Sequence, residues 1–332
     1  MKNRIVIATF VFLSGLAACS DDGGDNGSVL SPASGAAVRL EGAIGLSTRA
    51  VIGSGYNEDL QVCFARRDET GVSPNTYGAW SVCPAVRSGG AGSRPIVFVD
   101  AQLYPADGRN IHLHGYYPAD SVGLVEPNAS TGKVTFTIDG KTDMMATGRI
   151  TASGGTSSAA EVPVACTFYH LLTQLSFVSY SDEADKWGEI VKIEATDIAL
   201  KQELDWTVET PLLTAVASSP TGRLSVQEIA QVIPQVEEGG TPPAPKGYIL
   251  LPAADGFGTG DKTLWLEITT SKDGNGHEVE KTTRLYVTAP EGGFKAGFQH
   301  IISLFFTDGI GIEVTHVDVK PWEVEKEPEL PV

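Results

Sequence analysis

Basic residues are scarce in this sequence. Lys and Arg total 24 against 41 Asp and Glu, a formal charge of −17 over 332 residues. Phosphate binding needs a basic footprint, so this balance excludes nucleic acid as a partner. A membrane-spanning stretch is lacking too. The most apolar segment, Ile5 to Leu13, is too short for a transmembrane helix, which needs ~20 apolar residues. Cysteine occurs four times without a C-x-x-C pair, so no metal framework is visible. G-x-S-x-G, H-E-x-x-H, Walker and G-x-G-x-x-G patterns are all missing. No catalytic residue, metal or cofactor is therefore expected, and the chain does not read as an enzyme.

What it has in excess is glycine and proline, 37 and 19 residues respectively. Backbone breakers at that density exclude a helical bundle or coiled coil and favour a loop-rich β protein. A hydrophobic fraction of 42% excludes a disordered chain. From Val38 onward, apolar runs of four to seven residues are bounded by Gly or Pro. Gln61–Ala65, Pro95–Val99, Ile111–Tyr117 and Lys133–Ile138 are examples, several of them alternating apolar with polar. That alternation predicts antiparallel strands with one wet face. Further strands are predicted over Val164–Tyr180, Glu189–Leu200, Tyr248–Leu251, Leu264–Thr270, Thr282–Thr288, His300–Phe306 and Gly311–Val319, and one short helix over Ser225–Val232. Asp273-Gly274-Asn275-Gly276 predicts a hairpin turn. The resulting expectation is all-β, with two sandwich domains in series over residues 38–183 and 184–332.

The N-terminus reads as an export signal. Lys2 and Arg4 precede the apolar stretch, and Leu16-Ala17-Ala18-Cys19 resembles a bacterial lipobox. Residues 1–18 then form a lipoprotein signal peptide, cleaved between Ala18 and Cys19. Cys19 is acylated and anchors the chain to a membrane. Residues 19–37, rich in Gly, Ser, Asp and Ala, form a flexible tether. The acidic run after Cys19 resembles the signal that sends Bacteroidetes lipoproteins to the outer surface. Of the remaining cysteines, Cys63 and Cys83 flank a loop and form either a disulfide or, with Cys166, a set of buried free thiols.

His112 and His114 lie two apart on one strand face, a spacing that can begin a zinc site but more simply gives a packed or solvated pair. His170 reads as a satisfied core histidine. Asp255 to Asp261 reads as a turn, and Asp120-Ser121-Val122 weakly matches a glycosylation motif.

Several segments in order resemble the fimbrillin family of Bacteroidetes pilus subunits. They are Tyr116-Tyr117-Pro118-Ala119-Asp120, Phe136 to Ala146, Thr167 to Leu175, Phe294-Lys295-Ala296-Gly297 and Val319-Lys320-Pro321-Trp322. The resemblance implies two transthyretin-like β-sandwiches and a lipoprotein precursor at the outer membrane. It implies an Arg- or Lys-specific protease that removes the first strand, and a neighbouring fimbrial subunit whose donor strand fills the groove. Arg49 before Ala50 is the best candidate cut, with Arg39 a second; residues 38–49 would be the removable segment. The alternative is an uncut arginine in an anchor protein. Ile310–Trp322 alternates as a donor strand would, so stalk and tip positions stay open, as does a host or bacterial surface ligand. The alternative function is a surface lipoprotein that binds glycans, which requires Trp80, Trp187, Trp206 and Trp265 to be exposed and clustered.

Overall fold

The computed structural model describes residues 35–321 except 46–51, 72–75, 120–122, 154–161, 218, 238, 254–262 and 308–310. The described chain is all-β, with twenty-one strands numbered in chain order and a single 3-10 turn, Ala184–Lys186.

The first sheet is built from β1 (Leu40–Ile44), β2 (Leu60–Asp68), β3 (Ser81–Arg87), β4 (Arg94–Phe98), β5 (Asn110–Tyr117), β8 (Met145–Ala146) and β10 (Val164–His170). Their order is β2-β3-β4-β1-β10-β8-β5, and β5 pairs back onto β2, so seven strands close a ring. The ninth strand, β9 (Ile150–Ser153), continues along the β8 edge of β5. Among the described residues, closure gives each of the seven ring strands a neighbour on both sides, and β9 alone ends as an edge. Alternate residues point inward, among them Leu40, Val62, Phe64, Ala85, Ile96, Ile111, Leu113 and Phe168, and these make the ring's own core.

A second sheet lies outside the ring, in the order β14 (Leu213–Ala215), β13 (Lys201–Asp205), β7 (Lys133–Thr137), β6 (Val125–Asn128). Its inner residues Val134, Phe136 and Leu204 join Tyr116, Cys63 and Ala65, which face outward from the ring. Tyr116 meets Phe136 edge to face at 6.1 Å and stacks on Trp206 at 5.8 Å.

The remaining strands form a sandwich. One sheet runs β17 (Lys246–Pro252), β11 (Leu172–Ser181), β20 (Phe298–Thr307), β21 (Gly311–Pro321). The other runs β15 (Thr221–Ser225), β12 (Glu189–Ala199), β18 (Thr263–Thr270), β19 (Lys281–Thr288), with β16 (Gln231–Val232) also on β12. Phe177, Ile193, Leu266, Ile268, Ile302 and Leu304 fill the space between them and belong to the same cluster as Phe136 and Trp206.

Four details differ from the sequence reading. The first half closes into a ring instead of an open two-sheet sandwich. Strand pairing also crosses residue 183: β7 pairs with β13, and β11 belongs to the sheet of β17, β20 and β21. The apolar run Val164–Tyr180 is two strands, because the chain leaves the ring at Leu171, whose amide donates to Met144 (2.8 Å). No helix occupies Ser225–Val232. Leu224 and Ser225 pair with Ala195 and Glu194, Gln227 bridges Tyr248, and Glu228 turns the chain at φ 55°. The Asp273–Gly276 turn does join paired strands, and Gly274, at φ 86°, lies over Trp187 where a Cβ would sit 2.9 Å from the indole.

Because one core runs from the outside of the ring through the sandwich, Phe136→Ala should destabilise the whole by about 3–5 kcal/mol. Tryptophan fluorescence and far-ultraviolet circular dichroism should report the same single denaturant transition, before and after the substitution. Two separated transitions would refute the shared core.

Candidate assembly site

The distinctive element is β1. It lies between β4, to which it is antiparallel over Leu40–Gly42, and β10, to which it is parallel over Leu40–Ile44. Val38, Leu40, Gly42 and Ile44 face inward and are buried, while Arg39, Glu41 and Ala43 face out. Main-chain bonds extend the pairing at both ends: Val38 donates to Gln102 (2.8 Å), Val164 to Arg39 (2.9 Å) and Gly45 to Phe168 (2.8 Å). Burying Val38, Leu40 and Ile44 contributes roughly 1.5–3 kcal/mol each. Withdrawal of β1 would remove those side chains from the core and leave β4 and β10 with unpaired backbone edges facing an apolar interior.

Arg87 was not found by the sequence reading. It ends β3 in the inward row Cys83, Ala85, Arg87 and is fully buried. Its Nε donates to the Gly42 carbonyl (2.9 Å), Nη1 to Ser88 (3.0 Å), and Nη2 to Gly90 (3.1 Å) and Gly92 (2.8 Å). The β1–β4 pairing stops at the Gly42–Arg94 position, and the guanidinium takes the carbonyl that β4 no longer reaches. Burial pushes its pKa below the ordinary arginine value, with Arg94 adding to the effect. A cation one strand away, in an otherwise apolar row, is the signal that could have marked it.

At the other end of the chain, β21 pairs with β20 alone. Ile312, Val314 and Val317 are partly buried, whereas Glu313, Thr315 and Asp318 are exposed. Between β21 and the edge strand β19 lies a cleft of about 900 Å³, lined in part by Trp265, Arg284, Tyr286 and His316. The Arg284 guanidinium sits 4.5 Å from the Trp265 ring centre.

Of the residues singled out in the sequence, Ala18, Cys19, Arg49 and Ala50 lie outside the described residues, as do Asp120 to Val122 and Asp255 to Asp261. Arg49 falls in the stretch that connects Gly45 to Ile52, directly after β1. Cys63 and Cys83 do not form the disulfide considered for them; both are free, as is Cys166. The register places Cys63 opposite Pro84 and Cys83 opposite Phe64, so the two side chains point to opposite faces of the sheet. Cys83 faces the ring interior and Cys63 the outer core. Burial raises the Cys63 thiol to about 11 and that of Cys166 to about 12, which keeps both protonated at neutral pH.

The histidines are held by packing. His112 Nε2 lies 3.2 Å from Glu69 Oε1, and its Nδ1 lies 3.0 Å from the Thr151 hydroxyl. His114 packs against Trp80 at 5.9 Å. His170 Nδ1 contacts Asp143 Oδ2 at 2.7 Å, with both side chains buried at the point where the chain passes from ring to sandwich. Trp187 and Trp206 are wholly buried. Trp80 packs on Trp206 at 5.7 Å, and Trp265 lies instead against Tyr286 at 5.6 Å. The four tryptophans therefore form no common exposed platform of the kind that glycan binding requires.

These features define a class: all-β proteins with a terminal strand threaded into a closed ring and a second strand along an open edge. Comparison with known proteins makes the assignment specific. A family model described as fimbrillin-like matches residues 48–322, and the chain belongs to that family of fimbrial subunits. Its fold is similar to those of candidate cell adhesion proteins from Bacteroides uniformis (14% identity, TM-score 0.57, covering 86% of this chain and 98% of that one) and Bacteroides ovatus (15%, 0.51, 87% and 99%). A third, from Parabacteroides distasonis, gives 10% and 0.52, with 89% and 99% covered. No curated protein matches.

Two buried histidines make stability depend on pH. Burial lowers His114 to about 4, helped by Arg149 and Arg67, and burial with Lys295 lowers His300 to about 4. His300 Nε2 also accepts the Lys295 amide (3.1 Å), a bond that protonation would break. Both rings are more basic in the unfolded chain, which therefore binds more protons between pH 6.5 and 4. Stability should be full above pH 6.5 and fall toward pH 4, by on the order of 3 kcal/mol per histidine at most. Urea midpoints across that range test this: His114→Gln should flatten the slope, and an unchanged slope would refute the assignment.

Proposed function

We propose that this fimbrillin-like chain is a structural and adhesive subunit of a cell-surface fimbria, exported as a lipoprotein acylated on Cys19. It reaches the outer membrane on that anchor and is cut after Arg49. It is joined to another fimbrial subunit by a strand that takes the place of β1. Its two β units, in series, are of the transthyretin-like kind that the family resemblance implies, and it carries out no catalysis.

The observation that carries the reading is the placement of β1. It supplies an inward apolar row to a ring whose other strands all come from beyond residue 52, and an Arg-Ala pair follows it at once. A single cut there would free β1 from the strands that follow it without interrupting any of them. Exposed backbone edges on β4 and β10 would then pair with an incoming strand whose alternate side chains refill the core. The edge position and alternating pattern of β21 suit it to donate a strand in turn.

Fimbriae sheared from cells provide the test. The chain in SDS-resistant species larger than a monomer should begin at Ala50, and Arg49→Ala should leave it uncut and monomeric. Cys19→Ala should lose the acyl label and membrane association of the precursor. Fimbria-borne chain that still begins at Cys19 would refute the processing step.

A further inference from the structure

We infer that the slot holding β1 selects its occupant by size at one position. It takes a strand of a different subunit patterned apolar–x–small–x–apolar, with glycine or alanine facing Ile96 and Phe168, and refuses residues 311–332 of a second copy. This rests on the reading that β1 is removed and replaced.

The selection follows from Gly42. Its φ is not in the left-handed region, so the glycine is there for room and not for backbone freedom. A Cβ at that position would lie 2.7 Å from Ile96 Cδ1 and 3.3 Å from Phe168 Cε2. Ile96 Cδ1 is the end of a side chain, so one methyl can be taken up by its displacement. Two more, as in valine, meet side chains that are buried on all sides, Ile96 at 5% exposure and Phe168 at 1%.

Register adds to the constraint. Arg87 Nε holds the carbonyl of the small residue itself, at 2.9 Å. Sliding an incoming strand by one residue turns its apolar row outward. Sliding it by two brings a large side chain over Ile96 and Phe168. A strand that satisfies Arg87 and the core together therefore carries its small residue between two apolar ones, each two positions away.

The β21 segment lacks this pattern. Its apolar positions are Ile312, Val314, Val317 and Val319, and no glycine or alanine occurs from Ile312 to Val332. Gly311 has Gly309 and Glu313 as its neighbours two residues away. Neither strand direction offers a register in which a small residue sits between apolar ones. A slot that matches a different strand so much better than its own edge strand suits a junction between unlike subunits.

The test uses the full chain, cut after Arg49 or, in a variant, at another protease site placed within residues 46–51, so that β1 is held without a covalent link. Four labelled peptides compete for the slot: residues 36–45, the same with Gly42→Ala, the same with Gly42→Val, and residues 311–321. Label co-eluting with the protein on gel filtration is the readout. The first two should be retained within a few-fold of each other, the third at least about tenfold less, and the fourth at background. Retention of the Gly42→Val or the 311–321 peptide as strongly as the first overturns the size selection and leaves strand replacement standing. Retention of none by the verified cut chain overturns both.

Discussion

A ring of strands is free of edges only while every strand is present, and here the closing strand is the one nearest the chain's start. β1 satisfies backbone groups on two neighbours at once, β4 on one side and β10 on the other. It pairs parallel to β10 and antiparallel to β4. Apolar residues from the rest of the ring are arranged around its inward row. Removing β1 would cost the ring an inward apolar row and two paired backbone edges at once.

The ring does not stand apart from the sandwich. β7 and β13, from the two halves of the chain, share a sheet, and Phe136, Tyr116 and Trp206 make one aromatic contact across the layers. The chain crosses between them at Leu171, flanked by the buried Asp143–His170 contact. That pair ties the loop after β7 to the end of β10, where two strand systems must keep a fixed offset. A disturbance at the ring is therefore felt in the sandwich through packed side chains and not through a hinge.

Much of this was legible from residue order. Strands that alternate strictly, such as Lys133–Thr137 and Thr282–Thr288, were placed well, because a period of two is a local property. Ser81–Arg87 escaped notice, since Pro84 and Arg87 interrupt an otherwise apolar row, and the two- and three-residue strands carry too little pattern to read. The first strand, β1, was visible because Val38 to Ile44 alternates. Arg87 was not, for its role depends on where β4 ends relative to β1. The choice between a Cys63–Cys83 bridge and free thiols stayed open in the sequence for a related reason. Whether Cys63 and Cys83 share a face is decided by which residue lies opposite which, and pairing register between distant strands is not written in either strand alone.

The buried guanidinium of Arg87 is satisfied by four main-chain carbonyl oxygens. Peptide dipoles do not ionise over the range of acidity that a surface organelle meets, and they are common to every residue type. Its hold on the strand beside it is therefore indifferent both to the acidity of the medium and to the side chain whose carbonyl it grips. Acid that loosens the body through His114 and His300 leaves this clasp unaltered, so the fold can soften while β1 stays held at Gly42.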